Sequence, residues 1–539
     1  MSKSEEATLN EASPLEEYHI TEEGLVSSDP ADPRVTEKTR ATVHELDSPY
    51  ARQLSDYIHP KERDSTSKDI EAGSVKDEGP RYIDFEKDDP RNPLNFTTKR
   101  KWAIAMCAIF FTGLSAANAS TYNLGFPGML VDLDCTQFQA TVGLSLYTLG
   151  FAITPLVTAS FSEEFGRQPL YMVSGVIFAL MHLMIALSKN ITTVLIARFI
   201  SGAAGSTGST MVGGTIADLF LPHERGLPMS IFSVAAIGCT GLGPVIAGWT
   251  EVTLGWRWIQ WISFIITMTF SASIPLLMKE TRSAVVLTAL AKKMRKETGD
   301  HRYRARVEDE RASLKNLIWI SCTRPIYLMT TEPVVASFSI WIGFAWGILY
   351  VLIESIGPVF RTLHNFNNGE VGLVFISFLC VSSMSYSYFH SNLTMKHHAR
   401  RGPEARLYTA MGAGVGLVGS LFMYAWCTFP NVHWISLCIA ITVSFTISSF
   451  SMYLAVFTYL ADCYGTFASS ALAGQSLSRN LFGMAFPLFT TQMYAKLTYH
   501  WANTMFAFFA LAMAPVPFVL FYKGPALRAR SKFASAVVH

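Results

Sequence analysis

The feature that most constrains this chain is a series of apolar runs, each about 18 residues or longer. A helix of about 20 apolar residues crosses the hydrocarbon core of a bilayer, which is about 30 Å thick. Six runs precede a hydrophilic stretch at residues 279–324, and six follow it. The runs lie at residues 102–122, 139–161, 170–187, 193–215, 227–250, 256–278, 332–360, 371–390, 407–427, 433–460, 467–490 and 498–522. The sequence therefore predicts an all-α membrane protein with twelve transmembrane helices in two six-helix bundles.

The composition agrees with a membrane-embedded chain and excludes a soluble globular protein of this size. Half of the 539 residues are hydrophobic and 16% are charged, whereas charged residues make up about 25% of a typical soluble protein. The mean hydropathy is +0.27. The formal net charge of +2 says little about partners, because the charged residues are distributed unevenly along the chain.

The apolar runs and the hydrophilic stretches divide the chain into five segments. Residues 1–95 are rich in Glu, Asp, Ser, Thr and Lys and poor in large apolar residues, so we expect a disordered tail. This tail has no apolar h-region, so no cleavable signal peptide is expected, and the first span serves as the targeting signal. The predicted segments are this N-terminal tail, a six-helix bundle at 96–278, a cytoplasmic central loop at 279–330, a second six-helix bundle at 331–522 and a cytoplasmic tail at 523–539.

Lysine and arginine residues collect on one side of the predicted topology. With an even number of spans, the basic residues before the first span, in the central loop and at the C-terminal end all fall on that side. The same side holds the basic residues of the shorter loops, namely Arg167, Arg225, Lys396, Arg400, Arg401 and Arg406. The positive-inside rule therefore places both termini in the cytoplasm. We expect the cell membrane as the location, with the vacuolar membrane as the alternative.

Patterns that would indicate an enzyme or an ATP-driven pump are absent from the sequence. The motif GxxxxGK[ST] does not occur, which excludes transport driven through a P-loop. The eight Cys contain no CxxC pair, and His397 and His398 stand without a larger His cluster, so no metal centre or disulfide framework is indicated. We therefore expect no enzymatic activity, cofactor, metal or nucleic-acid partner, and a monomer embedded in the lipid bilayer.

A short charged hairpin joins the second and third apolar runs. It reads Ser162-Glu163-Glu164-Phe165-Gly166-Arg167-Gln168-Pro169, which leaves room only for a tight reversal. Gly166 tolerates the positive φ of such a turn, and Pro169 suits the first turn of the next helix. An ordinary charged link between two spans would have a similar composition, so this stretch alone does not assign a function.

Two further segments place unusual residues inside apolar runs. The fourth run contains Arg198, and an arginine inside the membrane costs about 2.5–3.5 kcal/mol on insertion scales. Its side chain is therefore expected either to face a cavity or a partner, or to extend to the nearer interface. The fifth run contains Gly241, Gly243 and Gly248 around Pro244, and this density of small residues favours the close approach of another helix.

Together these segments resemble the major facilitator superfamily, and more narrowly its fungal drug:proton antiporters with twelve helices. The resemblance is carried by the segments at 92–95, 159–167, 196–205, 243–248, 255–258, 279–282 and 459–472. It extends from residue 92 to residue 532. Two positions depart from the family pattern, since Ala159 replaces the usual first Gly of the loop signature and Gln168 replaces a basic residue.

The resemblance implies the major facilitator fold and a conformational gate. The residues implied to act in this gate are Glu163, Gly166, Arg167, Asp218, Gly243, Pro244, Asp462 and Arg479. Among them, Glu163, Arg167 and Asp218 would form a cytoplasmic charge cluster that stabilises the outward-open state. The Gly-Pro pair would govern the interface between spans. Asp462 and Arg479 would be C-terminal counterparts near the cytoplasmic gate, although hydration of a helix end would also explain the two aspartates.

Spans one, four, seven and ten line the central cavity in folds of this kind. The residues predicted for this cavity are Asn118, Asn123, Arg198, Trp346, Tyr350, Glu354, Ser451 and Tyr453. Aromatic side chains with a few polar groups suit amphipathic or aromatic solutes, although the same side chains could face lipid instead. The resemblance implies that Arg198 takes part in proton coupling. Glu354 could carry a proton, bind a cation or lie at the outer interface.

The resulting hypothesis is a secondary active transporter that exports small amphipathic molecules by alternating access, with the proton gradient as its energy source. Drugs, toxins and secondary metabolites are the expected substrates. Transport of polyamines or organic acids by the same fold is the alternative within this class. An alternative of a different class is a transporter-like nutrient receptor that signals through its tails. The long N-terminal tail is polar and the C-terminal tail is short, so transport is favoured.

Overall fold

The computed structural model is mainly helical and describes residues 80–86, 89–221, 224–310, 313–378, 402–531 and 533–534. Its helices are α1 (Thr98–Thr121), α2 (Phe126–Asp132), α3 (Gln137–Phe165), α4 (Arg167–Ala186), α5 (Ile191–Leu219), α6 (Gly226–Leu254), α7 (Trp256–Leu277), α8 (Ser283–Thr298), α9 (Arg306–Glu310), α10 (Leu314–Thr331), α11 (Pro333–His364), α12 (Asn368–Val374), α13 (Leu407–Cys427), α14 (Ile435–Ile441), α15 (Phe450–Tyr464), α16 (Ala468–Met513) and α17 (Val516–Arg530). A 3-10 turn at Tyr122–Gly125 joins α1 to α2, and a π-helical stretch at Thr442–Ser449 joins α14 to α15. Most of the tail that is predicted to be disordered lies outside the described residues.

Each of the twelve predicted spans corresponds to a helical segment of the described chain. Eight helical segments are long and apolar enough to cross a membrane. One of them, Ala468–Arg530, contains both the eleventh and the twelfth span, with a kink at Thr498 where φ is 65°. The other three spans are α5, which is rich in small and polar residues, the α14–α15 segment, and the eighth span, which is described only over Asn368–Phe378. The predicted all-α architecture is therefore confirmed.

The described helices pack into two halves. In the first half α3 packs on α5, α4 packs on α5 and α7, and α1 packs on α6. In the second half α11 and α13 both pack on α16. The halves meet where α3 contacts α16 and where α6 contacts α12. Residues on these four helices therefore form contacts that would change if one half moved against the other.

Aromatic side chains fill the core of the first half. Phe111 of α1 stacks on Phe270 of α7 with ring centroids 5.9 Å apart, and it meets Phe178 of α4 edge-on, also at 5.9 Å. All three side chains are buried. Aromatic pairs of this kind contribute about 0.5–1.5 kcal/mol each beyond their buried area. They join three spans of the first half into one packed unit.

The central segment, which the sequence predicts to be a loop, is largely helical. It contains α8, α9 and α10, and only Glu332 separates α10 from α11. The two-residue strand β1 (Arg81–Tyr82), which precedes α1, pairs in parallel with β2 (Tyr303–Arg304) in this segment. Ser160 of α3 and Ser321 of α10 share a hydrogen bond of 2.7 Å between their hydroxyl oxygens. Low hydropathy separated this segment from the membrane spans, but it does not distinguish a polar helix from a coil.

The central segment and both ends of the described chain lie at one face of the bundle, called the loop side, and the opposite face is called the far side. Arg167, at the start of α4, donates its backbone N–H to Glu280 in the central segment at 3.1 Å. Phe533, at the end of the described chain, contacts Tyr327 of α10 with ring centroids 6.2 Å apart. The basic turn at Arg167, the central segment and the end of the described chain therefore share one face, as the charge pattern predicts.

The reversal between α3 and α4 depends on Gly166 and Glu280. Gly166 has φ +92°, a conformation that residues with a side chain rarely adopt. Glu280 accepts hydrogen bonds from the backbone N–H groups of Arg167 at 3.1 Å and Gln168 at 3.2 Å. A carboxylate at this position satisfies N–H groups that have no partner within the helix. A Cβ at residue 166 would overlap Glu280 Oε2, so a side chain there would displace the cap.

We expect Gly166→Val to destabilise the protein more than Gly255→Val. Gly255, in the turn between α6 and α7, has a similar φ of +89° but no atom within 4 Å of an added Cβ. The Gly255 variant therefore carries only backbone strain, about 1–3 kcal/mol, whereas the Gly166 variant also displaces Glu280. Thermal unfolding of the purified variants measures the difference, with Gly299→Val as a control in the central segment. Equal unfolding temperatures for the first two variants would show that the Glu280 cap adds nothing to the turn.

Candidate functional site

Arg198 is the largest fully buried side chain of the described residues, with 0% of the residue exposed. It lies on α5, about 10 Å along the helix axis from Ile191. Its guanidinium carbon is 4.2 Å from the centre of the Tyr122 ring and 4.3 Å from the centre of the Tyr147 ring. A desolvated cation–π contact contributes about 2 kcal/mol or more. The two rings therefore stabilise the charge inside the first half.

The hydrogen bonds of Arg198 go to backbone and amide oxygens. Nε donates to the Gly143 carbonyl at 3.3 Å, and Nη1 donates to the carbonyl and the side-chain oxygen of Asn118 at 3.4 and 3.3 Å. Nη2 has no hydrogen-bond partner. No carboxylate of the described ranges forms an ion pair with Arg198. The guanidinium therefore keeps the two N–H groups of Nη2 without a partner, and its positive charge is not paired with a carboxylate.

Glu354 joins the two halves of the molecule. It lies on α11, about 15 Å along the helix axis from His364, and 5% of the residue is exposed. Oε1 accepts hydrogen bonds from Thr141 of α3 at 2.9 Å and from Thr491 of α16 at 3.2 Å, while Oε2 has no partner. The carboxyl group is therefore buried at the boundary between the halves and is not exposed at the outer interface.

Arg479 lies among the aromatic residues of the interior, which corrects its predicted placement near the cytoplasmic gate. It is half-buried and lies on α16, about 17 Å along the helix axis from Ala468. Its guanidinium carbon is 4.5 Å from the centre of the Trp346 ring and 5.0 Å from the centre of the Tyr453 ring. The prediction treated Arg479 as a companion of Asp462, but α16 carries it about three turns away from the loop side.

The other predicted cavity residues occupy different kinds of position. Tyr350, 8% exposed, lies within electrostatic range of both Arg198 and Arg479. Asn123 is partly buried, and neither polar atom of its amide has a partner. Ser451 is fully buried, and its hydroxyl donates to a carbonyl one turn earlier in its own span. The hydroxyl hydrogen of Ser451 is therefore used within its own helix and is not free for a ligand.

On the loop side, Arg167 and Asp218 lie together, as the resemblance implies. Arg167 Nε is 2.7 Å from Asp218 Oδ2, and Arg282 Nη1 is 3.9 Å from Asp218 Oδ1. Arg282 was not predicted as a site residue. Glu163 is exposed and has no hydrogen bond or ion pair within the described ranges, so it does not join this cluster. The reversal after α3 turns Arg167 towards α5 and leaves Glu163 on the outer surface.

The second half contains a corresponding ion pair that sequence reasoning missed. Arg406 Nε lies 3.0 Å from Asp462 Oδ2. Arg406 directly precedes α13 and Asp462 lies near the end of α15, just as Arg167 begins α4 and Asp218 lies near the end of α5. The other basic residues of this loop, Lys396, Arg400 and Arg401, lie outside the described residues. The sequence does contain a pattern that could have predicted this pair. In each half a basic residue precedes or begins the third span and an Asp lies near the end of the fourth span.

The Gly-Pro run of α6 contacts the second half on the far side. A Cβ at Gly372 of α12 would lie 2.5 Å from the Pro244 carbonyl oxygen, and a Cβ at Gly248 would overlap the Asn368 carbonyl oxygen. Gly243 packs against α1, where an added Cβ would lie 2.8 Å from a threonine methyl group. Small residues therefore bring the backbones of α6 and α12 into direct contact across the halves.

Beside this contact lies a polar chain of three residues, Glu251, Asn368 and Arg361, called the far-side clasp. Asn368 Nδ2 donates to Glu251 Oε2 at 2.6 Å, and Arg361 Nη1 donates to Asn368 Oδ1 at 2.6 Å. Glu251 belongs to the first half, and the other two residues belong to the second half. Sequence reasoning missed the clasp, because the three residues lie on different spans and only the fold brings them together.

A further cavity of about 370 Å³ lies between α1, α6 and α7. Its wall is mainly apolar and includes Asn118 and His182. His182 Nδ1 lies 2.9 Å from Gln260 Oε1, which satisfies this buried ring. Within the described ranges no group of three or more His, Cys, Asp or Glu could hold a metal ion. The pocket between these three helices is thus suited to apolar molecules.

Comparisons with known proteins agree with this architecture. A family model described as Major Facilitator Superfamily matches residues 107–481. The chain is 34% identical to the major facilitator superfamily multidrug transporter mdrA of Aspergillus fumigatus, over 86% of this chain and 77% of that protein. It is 32% identical to the efflux pump atB of Aspergillus terreus, over 91% of this chain and 98% of that protein. It is 31% identical to the multidrug transporter FLR2 of Candida glabrata, over 88% of this chain and 82% of that protein. With its twelve spans in two halves, the chain belongs to the major facilitator superfamily.

Proposed function

We propose that this protein exports small amphipathic molecules, such as drugs, toxins or secondary metabolites, by proton-coupled alternating access of its two halves. The observation that carries the proposal is the buried carboxyl group of Glu354, which bonds to Thr141 across the boundary between the halves. Relatives named as multidrug transporters and efflux pumps support export of this class of molecule. Aromatic side chains with a few polar groups form the kind of interior that binds amphipathic solutes.

Glu354 provides a site at which proton binding can change the contact between the halves. A carboxyl group that gains a proton loses its charge and becomes a hydrogen-bond donor. Thr141 and Thr491 donate to one oxygen of Glu354, and the other oxygen has no partner. A proton on Glu354 would remove a charge that is buried while the two halves are in contact at Thr141, which is called the closed arrangement. The closed and open arrangements would then bind the proton with different affinities, which couples proton binding to movement.

Arg198 would contribute a permanent positive charge to the same interior. An arginine side chain stays protonated in proteins, so its role is electrostatic rather than proton-carrying. Nη2 is buried without a partner, so it could donate to a substrate oxygen or to a carboxylate only in another arrangement of the halves. Tyr122 and Tyr147 hold the guanidinium in place while that partner changes.

One proton per exported molecule would be sufficient for concentrative export. One pH unit of gradient supplies about 1.4 kcal/mol per proton, and 100 mV of membrane potential adds about 2.3 kcal/mol. These two contributions together correspond to a concentration ratio of roughly several hundred. A single titrating carboxyl group such as Glu354 is therefore enough for the proposed coupling.

The chain is a multi-pass membrane protein, and we propose that it lies in the plasma membrane with both termini in the cytoplasm. The loop side carries the basic central segment, which the positive-inside rule assigns to the cytoplasm. The Arg167–Asp218 and Arg406–Asp462 pairs would then lie at the cytoplasmic ends of the spans, and the far-side clasp at the outer ends. One chain contains both halves of the transport unit, so we propose a monomer.

Cells that carry the protein should accumulate less of a neutral amphipathic dye such as Nile red than cells that lack it. We expect a protonophore to abolish the difference, because it removes the driving gradient. In membrane vesicles with an imposed pH gradient, removal of ATP should leave dye export unchanged. Dye content is read by fluorescence. Equal dye content in both cell types, repeated with cationic and anionic dyes, would contradict the proposed export.

Replacement of Arg198 should impair export in the same vesicles. Arg198→Lys keeps the charge but loses the planar guanidinium, so it should impair the initial rate of dye export nearly as much as Arg198→Ala. The matched control is Arg304→Ala, which removes an arginine that pairs with Asp309 in the central segment, outside the spans. If Arg198→Ala exports dye at the wild-type rate and remains sensitive to a protonophore, Arg198 is a packing residue and coupling depends on Glu354 instead.

Labelling of intact cells tests the proposed orientation. A membrane-impermeant maleimide should label Asn431→Cys, in an exposed turn on the far side, without permeabilisation. It should label Lys296→Cys, in the exposed part of α8, only after permeabilisation. The wild-type protein gives the background from its native cysteines. The reverse pattern would place the loop side outside the cell and overturn the assignment.

A further inference from the structure

The guanidinium of Arg479 has unused donors in the interior of the second half. Nη2 donates to Ser476 Oγ at 3.3 Å, and the buried Nε has no partner. Within the described ranges no carboxylate forms an ion pair with Arg479. A guanidinium carries five N–H donors in a fixed planar arrangement, so donors other than the one that Ser476 accepts have no hydrogen-bond partner in the described part of the chain.

Arg479 differs from Arg198 in being accessible. Arg198 is 0% exposed and lies close to the faces of two tyrosine rings. Arg479 is half-buried, and so are Trp346 and Tyr453, the two aromatic residues beside it. The centres of these two rings are 6.0 Å apart and their planes are inclined by 44°. A molecule that reaches the interior can therefore contact both the rings and the guanidinium.

We propose that Arg479, Trp346 and Tyr453, together called the arginine clamp, form a subsite that selects planar aromatic molecules with an ionised carboxylate. This inference rests on the proposed export of small amphipathic molecules and names a substrate class for it. The carboxylate pairs with the open edge of the guanidinium, which matches carboxylate geometry and forms charge-assisted hydrogen bonds. The aromatic part of the molecule stacks beside the two rings.

The electrostatics of the surrounding interior favour an anion at this place. Tyr350 lies within electrostatic range of both Arg479 and Arg198, so an anion beside Tyr350 would interact with two positive charges. Glu354 lies on the same helix as Trp346, roughly 12 Å further along its axis, and its Oε1 is occupied by two threonine hydroxyls. The carboxyl group of Glu354 therefore does not neutralise Arg479, and the clamp keeps a positive charge.

The proposed subsite should prefer a ligand with a carboxylate, whereas a purely hydrophobic subsite should not. Two probes differ only in that group, coumarin-3-carboxylate and coumarin-3-carboxamide. Binding of each probe to the purified full-length protein in lipid nanodiscs is measured by isothermal titration calorimetry at pH 7. We expect the wild-type protein to bind the carboxylate about ten-fold more tightly or better, because a hydrogen bond to a charged group contributes more than the roughly 1.4 kcal/mol to which a factor of ten corresponds.

The variants separate recognition from folding. Arg479→Gln should abolish the preference for the carboxylate, with a much smaller loss for the carboxamide, and Arg479→Lys should retain part of the preference through its charge. The matched control is Arg324→Gln, which removes an arginine that lies 5.6 Å from the centre of the Phe467 ring on the loop side. Arg324→Gln should keep the full preference. Thermal unfolding of each variant shows whether it is folded.

Three outcomes would overturn the proposal. They are equal binding of the two probes by the wild-type protein, no measurable binding of the carboxylate, and an equal loss of both probes in a folded Arg479→Gln protein. If Arg479→Gln does not fold, the probes are compared in the wild-type protein and in Arg479→Lys to test the proposal. A full preference for the carboxylate in the lysine variant would exclude a role for the planar guanidinium. Export of Nile red by cells is a separate measurement, so a failure of the general export function is distinguished from a failure of the subsite.

Discussion

A charged side chain inside a hydrocarbon layer needs compensation from the protein, and the interior of this molecule follows from that requirement. Arg198 and Arg479 are each compensated by two aromatic rings, and Glu354 is compensated by two threonine hydroxyls. In all three cases the compensation is incomplete, since Arg198 Nη2, Arg479 Nε and Glu354 Oε2 have no partner. The contacts that make these charges tolerable in the membrane therefore leave one buried polar atom of each group without a hydrogen-bond partner.

The polar contacts described here differ between the two ends of the molecule. On the loop side, the Arg167–Asp218 and Arg406–Asp462 ion pairs each lie within one half. On the far side, the clasp and the contact of α6 with α12 join one half to the other. Ion pairs within a half maintain the shape of that half as it moves. Contacts between the halves have to break when the far side opens, and the clasp can do so by losing the one hydrogen bond that joins Glu251 to Asn368.

Hydropathy predicted the twelve spans because lipid imposes the same length and composition on every spanning helix. It did not predict the helices of the central segment, where the polar composition is compatible with a coil or a surface helix. The intramembrane position of Arg198 could be predicted because its cost is a property of one residue in an apolar run. The depth of Arg479, the outward position of Glu163 and the clasp could not be predicted. The depth of Arg479 depends on where its helix starts, and the position of Glu163 depends on the direction of a turn. The clasp depends on contacts between distant spans, and a single sequence determines none of these directly.

The π-helical stretch at Thr442–Ser449 has a consequence for the tenth span. A π turn holds one residue more than an α turn, and such turns are frequent at functional sites. In an α-helix each residue rotates the chain by about 100°. If this stretch were converted to a regular α-helix, the segment that carries Tyr453 would rotate by roughly that angle relative to the segment that begins at Ile435. The position of the Tyr453 ring beside Arg479 therefore depends on the extra residue that the π-helical stretch accommodates.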